Sequence, residues 1–342
     1  MDHATSGRDG RVVAAFDKFR GTATSRELGD AAARAAARRG RAVDVVVLSD
    51  GGEGFLDAFD GEDVTCAVPG PLGETVVARL RLHEGVEGLV GVIESADVVG
   101  RHRLARPTRG EALVASSAGL GRLILEGVRL GVGRLVVGCG GSATSDAGLG
   151  CYQVLRAAGG LPVPVTAATD VTARFRDARR YATQKGVADE DLARVDERLD
   201  LARDLYLDEH GVDVDGVERT GAAGGIAGAL FALGASLVGG FDLVAREVGL
   251  AARLAEASLV VTGEGRLDEG TLEGKVVAGV ADLATGPLLV VCGSLDHAAA
   301  AAFSSRHPDA RLIGLAERYG EERSFADAPG CVEALVAEAL ER

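Results

Sequence analysis

The amino-acid sequence repeats one pattern: a short apolar run, then a loop of glycines and acids, then an apolar stretch with helical character. Residues 12–16 run into Asp17-Lys18-Phe19-Arg20-Gly21-Thr22 and then into 25–39, whose alanines favour a helix. Residues 43–48 end in Ser49-Asp50-Gly51-Gly52-Glu53-Gly54, after which 55–59 can open another helix. The same rhythm returns at 134–137 before Gly140-Gly141-Ser142-Ala143-Thr144-Ser145-Asp146. It returns again at 259–262, before a loop over 263–268 and a helix over 271–283. Further strands are expected at 287–292 and 311–315, and a last helix at 332–340. Apolar β-branched runs without polar alternation suit strands buried on both faces, so the pattern predicts an α/β fold with a parallel, helix-covered sheet.

The rhythm breaks near residue 65. Pro69-Gly70-Pro71-Leu72-Gly73 is a turn cluster, and 75–82 alternates apolar with polar residues as a half-exposed strand does. Residues 89–93 suit a strand and 116–130 a helix; the charged stretch 170–208 suits a solvated loop and helix pair. Gly221-Ala222-Ala223-Gly224-Gly225 opens an apolar helix to 233, and 241–256 suits one more. The expected architecture is therefore a discontinuous domain, 1–64 and 257–342, interrupted by an inserted α/β domain over 65–256.

Lys and Arg total 37 against 51 Asp and Glu, a formal charge of -14, which argues against a nucleic-acid groove or an anionic membrane surface as partner. A small molecule is the expected ligand. The five cysteines are an odd number without a C-x-x-C pair, which suits reduced thiols and a cytoplasmic location. No apolar stretch reaches the ~18 residues of a membrane span, and the first eleven residues carry no apolar signal segment.

In open α/β sheets ligands bind beyond the carboxyl ends of the strands, where loop glycines and helix starts admit an anion. The loops at 17–21, 50–54, 140–146 and 263–268 combine that position with acids, and 221–225 adds another anion-friendly helix start. Glycines beside carboxylates suggest a phosphate bridged by a divalent cation, since bare carboxylates would repel it. Each loop alone is also ordinary turn and N-cap chemistry. The lysines sharpen the reading: of 37 basic residues only Lys18, Lys185 and Lys275 are lysine, and all three sit in or beside glycine-bearing segments. An ammonium meets a single phosphate oxygen as a point charge, unlike a guanidinium fork. Other templates fail. Gly270 to Val276 lacks the spacing and the Ser/Thr of a Walker A loop, and G-x-G-x-x-G after a strand, H-E-x-x-H and G-x-S-x-G are all absent.

Taken in order, the motifs resemble those of the type I glycerate kinase family. They run through D-x-F-x-G (Asp17, Phe19, Gly21), D-G-G-E-G (Asp50 to Gly54), G-P-L-G (Gly70 to Gly73) and I-E (Ile93, Glu94) to G-G-S-A-T-x-D (Gly140 to Asp146). They continue with D-V (Asp170, Val171), Q-K-G (Gln184 to Gly186), G-A-A-G-G (Gly221 to Gly225), T-G-E-G-R-x-D (Thr262 to Asp268) and T-L-x-G-K (Thr271 to Lys275). Departures are Lys18 for a serine, Arg20 for a lysine, Ser145 for an asparagine and Gly270 for a glutamine. The Asn-Pro-Leu element expected between Asp170 and Gln184 is missing, and a Y-G-T-G-E-L-I pattern is replaced by Ala118 to Ile124.

The resemblance implies a Rossmann-like parallel-sheet domain interrupted by a second α/β domain, with the active site in the cleft between them. It implies phosphorylation of D-glycerate by ATP with Mg2+, most simply to 2-phosphoglycerate. The alternatives are a kinase of another small hydroxy acid or sugar acid, or a non-catalytic ligand-binding paralogue. A homodimer is compatible with it. On this reading Asp50, Asp170 and Asp268 supply carboxylates for magnesium and for the hydroxyl proton, while Lys185 and Lys275 neutralise the transferring phosphate. Arg20 and Arg266 clamp the substrate carboxylate, with Asp17, Lys18 and Glu264 beside them, and Asp17 and Glu53 are alternatively loop-orienting acids. Gly140, Gly141, Ser142, Thr144, Gly224 and Gly225 cradle phosphate through backbone and hydroxyl donors.

Overall fold

The computed structural model describes residues 10–85, 88–104, 106–273 and 275–341. Its strands, in chain order, are β1 (Val12–Phe16), β2 (Val43–Val47), β3 (Glu62–Pro69), β4 (Thr75–Gly85), β5 (Gly88–Glu94), β6 (Arg134–Cys139), β7 (Val165–Thr169), β8 (Ser236–Gly239), β9 (Leu259–Leu267), β10 (Leu288–Leu295) and β11 (Ala310–Gly314). The chain is mixed α/β and divides into two units, one running to Asp50 and resuming at Phe241, the other Gly51–Gly240.

The first unit holds a five-stranded parallel sheet in the order β11-β10-β9-β1-β2. Every residue of β1 is buried, as its uninterrupted apolar run requires. The helix Ser25–Ala37 starts with a capping box, Thr24 accepting from the Glu27 N–H while Glu27 accepts from the Thr24 N–H. It turns Leu28, Ala31, Ala32, Ala35 and Ala36 inward, the spacing of a single helical face. That face joins Val332, Leu335 and Val336 of the helix Ala328–Ala339 in one core over β1. From β1 the chain steps to β2 on one side, and from β9 through β10 to β11 on the other. The order therefore reverses between β1 and β9, the position at which open α/β sheets take their ligands.

The second unit carries a six-stranded sheet, β3-β4-β5-β6-β7-β8. β3 to β5 pair antiparallel and β5 to β8 parallel. The parallel register aligns Glu94 with Gly138 and Cys139 with Thr169, so the loops after β5, β6 and β7 leave the sheet side by side. Leu120, Leu123 and Ile124 of the helix Ala118–Arg129 pack on Leu80, Ile93 and Val137.

Several elements differ from the sequence expectation, each for a local reason. The segment 263–268, expected as a loop, is mostly strand: β9 runs on to Leu267 and pairs with β10 as far as Leu295. Gly263 permits this, because a Cβ there would lie 1.8 Å from the Val291 carbonyl oxygen. The helix expected over 241–256 is two, Gly240–Glu247 and Leu250–Ala255, broken at Gly249 with φ 62°. β3, β7 and β8 were not anticipated, since none is an unbroken bulky apolar run. The division between units lies at 50/51 and 240/241 rather than at 64/65 and 256/257. Phe55 packs on Gly138 in β6, which holds 51–64 to the second sheet, while Phe241 packs on Gly279 of the first unit. No helix among the described residues is long and apolar enough to cross a membrane.

The tightest helix contact in the second unit supplies a stability test. A Cβ at Gly119 would lie 1.7 Å from the Pro69 carbonyl oxygen, whereas one at Gly110 meets nothing within 4 Å. Gly119→Ala is expected to lower stability by about 1–3 kcal/mol, the usual cost of overpacking. Gly110→Ala, in an exposed helical turn, should be neutral or slightly stabilising. Urea unfolding midpoints of the two variants check this, and equal midpoints would refute the packing argument.

Candidate active site

In the first unit the strand ends build a charged cavity of about 840 Å³. The loop after β1 is tied down at both ends: the Asp17 N–H donates to the Gly263 carbonyl at 3.0 Å, and Phe19 and Ala23 exchange backbone hydrogen bonds. Phe19 is buried while Arg20 is exposed, so the aromatic ring anchors a loop whose polar residues face the cavity. Gly265 lets β9 approach closely, since a Cβ there would be 3.1 Å from the Arg20 nitrogen. After β9, the Thr271 hydroxyl donates to Glu264 Oε1 at 2.6 Å and accepts from the Asp268 N–H at 3.0 Å. Asp268 Oδ1 in turn accepts from the Gly270 N–H at 2.9 Å. Gly274 of the same motif lies outside the described residues.

The cavity brings together Asp17, Lys18, Arg20, Asp50, Glu264, Arg266, Asp268 and Lys275. These are all of the residues anticipated for the acceptor side and most of those anticipated for catalysis. Burial and the neighbouring Asp50 carboxylate push the Asp17 carboxyl up to about 6, against the pull of Lys18 and Lys275. Burial likewise pushes Glu264 up to about 8, although the Thr271 hydroxyl and Lys275 work against it. Buried acids so close together favour a cation among them.

Magnesium is bound typically by one or two carboxylates together with substrate phosphates and water, not by an all-protein cage. Among the described residues no group of three or more His, Cys, Asp or Glu is arranged to hold a metal by itself. Asp50 and Asp268, both in the cavity lining, are the kind of incomplete oxygen donor set that magnesium would complete with phosphate and water.

In the second unit the remaining anticipated residues meet at the ends of β6 and β7. Asp170 follows β7 and reaches the Gly140 position, where a Cβ would lie 3.1 Å from its Oδ2 and 2.6 Å from the Gly52 Cα. Lys185 is buried and donates to Ser142 Oγ at 3.0 Å and to the Thr144 carbonyl at 2.8 Å. Burial lowers its ammonium to about 8, while Asp146 and Asp170 resist the fall. Gly224 and Gly225, both at positive φ, close on this loop: Cβ atoms there would lie 2.1 Å from the Thr144 carbonyl oxygen and 2.7 Å from Ala147 Cα. Gly141 has φ 66°. The hydroxyls of Thr144 and Ser145 are buried without a hydrogen-bond partner among the described residues, so polar capacity is left at the loop.

Sequence reasoning passed over two buried acids that organise these loops. Asp146, named only as the end of a motif, accepts from the Ser117 N–H and hydroxyl, both at 2.7 Å, and from the N–H groups of Gly148 and Gly150. Glu94 accepts from the N–H groups of Gly54 and Leu56. An acid at a strand end was the available signal for both. Glu321, Glu322, Ser324 and Phe325, which also line the cavity of the first unit, belong to no motif and carried no such signal.

Two α/β units, each with glycine-bearing loops beyond its strands, define the fold class to which this chain belongs. The glycerate kinase family model matches residues 12–160 and 161–339. The glycerate 2-kinase of Escherichia coli K12 is 32% identical over 291 residues, spanning 73% of this chain and 76% of its own. An uncharacterised protein of Mycobacterium bovis is 38% identical over 284 residues, spanning 77% and 73%. The crystal structure assigned as glycerate kinase 2 of Salmonella typhimurium LT2 superposes with a TM-score of 0.74 at 25% identity, covering 97% of this chain and 98% of that one. The chain belongs to the glycerate kinase family, and is a phosphotransferase acting on an alcohol group.

The Glu264 carboxyl carries a testable pH dependence. Its raised affinity for a proton in the folded state means that the stability it confers is complete below about pH 4.5 and is lost as pH rises through about 8. Glu264→Gln is expected to flatten the loss of melting temperature over that window and to melt higher than the parent at pH 9, measured in chelator. Parallel curves for the two proteins would contradict the assignment.

Proposed function

We propose that the protein transfers the γ-phosphoryl group of ATP to the 2-hydroxyl of D-glycerate, with magnesium, giving 2-phosphoglycerate. The observation that carries this reading is the gathering of four cationic and six carboxylate side chains around one cavity at the carboxyl ends of a parallel sheet. Phosphoryl transfer asks a protein chiefly for positioning and charge neutralisation, and such a lining serves both.

Arg20 and Arg266 hold the glycerate carboxylate as a two-pronged clamp, with Lys18 adding positive charge beside them. Asp17 and Glu264 orient the acceptor and its loops. Asp50, Asp170 and Asp268 are the carboxylates we assign to magnesium and to the hydroxyl proton. The cation, when bound, neutralises the oxygens of the transferring group. Lys275 and Lys185 place ammonium groups on phosphate oxygens. Gly140, Gly141, Ser142 and Thr144 offer backbone and hydroxyl donors to phosphate, and Gly224 and Gly225 back that loop closely enough to fix it. The five buried, unpaired thiols suit a reducing compartment such as the cytoplasm.

Incubation with ATP, D-glycerate and magnesium should release ADP and give a single phosphorus resonance of 2-phosphoglycerate. Chelation should abolish turnover and added magnesium restore it. Phosphorylation only of other hydroxy acids would reassign the acceptor, and nucleotide binding without any phosphorylated acceptor would refute a kinase. Lys275→Ala is expected to lower kcat/KM by about 10²–10³, the usual loss of one positioned charge at a transferring group, with an unchanged melting temperature. Wild-type turnover in that variant would remove Lys275 from the site.

A further inference from the structure

The cavity of the first unit is lined by residues that follow every strand of its sheet. Asp50 follows β2, Asp17 to Thr22 follow β1, and Glu264 to Asp268 end β9. Gly293 and Ser294 lie at the end of β10, and Ala316, Glu321, Glu322, Ser324 and Phe325 follow β11. In the order β11-β10-β9-β1-β2 this is four strand steps, about 19 Å at ~4.8 Å per step. A three-carbon acid occupies little more than one step, so the cavity has room for a far longer ligand.

The charge is also polarised along that row. The cations Lys18, Arg20, Arg266 and Lys275 come from the β1 and β9 side, interleaved with Asp17, Asp50, Glu264 and Asp268, while the lining residues of the β10 and β11 side include Glu321 and Glu322 and, among the described residues, no cation. Side-chain cations to pair with phosphate are therefore found in the lining only at the first end, and the second end offers carboxylates alone. At the second end stands Phe325, 67% exposed, whereas Phe16, Phe19 and Phe303 in the same unit are at most 2% exposed. An exposed aromatic ring beside a cavity offers its face to a flat, uncharged group.

We propose that the nucleoside of ATP lies across the carboxyl edge of this sheet, its phosphates toward β1 and β9 and its base stacked on Phe325. This rests on the reading of the protein as an ATP-dependent kinase. Glu321 and Glu322 accept hydrogen bonds from the ribose hydroxyls, and the exposure of Phe325 is the cost of keeping a base platform open.

The chain contains no tryptophan, so Phe325→Trp in the full-length protein introduces a single reporter. Its emission is expected to be quenched saturably by ADP and left unchanged by inorganic tripolyphosphate. Phe325→Ala is expected to weaken ADP binding about tenfold by calorimetry while tripolyphosphate binds as before, and Phe325→Tyr to restore the affinity. An ADP affinity unchanged in Phe325→Ala, or equal losses for ADP and tripolyphosphate, would overturn the proposal, as would tryptophan emission indifferent to saturating ADP. Wild-type turnover of D-glycerate separates the two readings. Turnover with an unchanged KM for ATP in Phe325→Ala overturns the stacking alone, and no turnover in the wild type overturns the kinase reading.

Discussion

The site of the first unit depends on one close approach between two strands. At Gly263 the missing side chain lets the Val291 carbonyl come where a Cβ would stand, so β9 and β10 stay paired beyond the edge of β1. The Gly263 carbonyl also accepts the Asp17 N–H, a bond in the register of the parallel β1–β9 pairing. One glycine thus sets the height of Glu264 and Arg266 above the sheet and pins the first residue of the neighbouring loop. A larger residue would separate β9 from β10 and release both sets of side chains at once.

The charges these strands carry follow a second constraint. Buried carboxylates cost several kcal/mol each unless they gain a proton, a cation or hydrogen bonds. Asp146 and Glu94 in the second unit take hydrogen bonds: each is satisfied by backbone donors from loops it thereby shapes. Asp17 and Glu264 take the other course, and their raised proton affinity measures how incompletely the protein alone compensates them. The first arrangement builds a rigid loop. The second leaves carboxyls in the cavity that hold protons more tightly than free acids do.

Much of this was legible in the sequence because strand, glycine loop and helix follow each other closely. The β1 and β2 loops and the Gly140 to Asp146 loop follow from where the apolar runs end. Asp170 stood out only through the order of the family motifs, because β7 is no bulky apolar run, and Lys185 through that order and the scarcity of lysine. What was misread depended on partners distant in sequence. The stretch 263–268 looked like a loop because its glycines favour turns, and only its pairing with β10 makes it strand. The edges of the units were misplaced because Phe55 and Phe241 each pack away from the segments their sequence neighbours suggest. Gly320, at φ 86°, marks a turn ahead of Glu321, Glu322, Ser324 and Phe325, but no motif ties these residues to the cavity, which they join through the sheet order.

Composition has a structural reason at Lys185. The chain uses arginine at 34 of its 37 basic positions, yet here the cation is an ammonium held between Ser142 Oγ and the Thr144 carbonyl. A Cβ on Gly224 would sit 2.9 Å from its Nζ, so there is no room for a guanidinium fork. Arginine is also effectively always charged, whereas burial has already brought this lysine down to about 8. A compact cation whose charge is weakened by burial gains most from an arriving anion, because a phosphate oxygen restores the attraction that water no longer supplies. The glycines around it belong to the same packing: Gly224 admits the ammonium, and Gly140 admits the close approach of Gly52 and Asp170 to the loop.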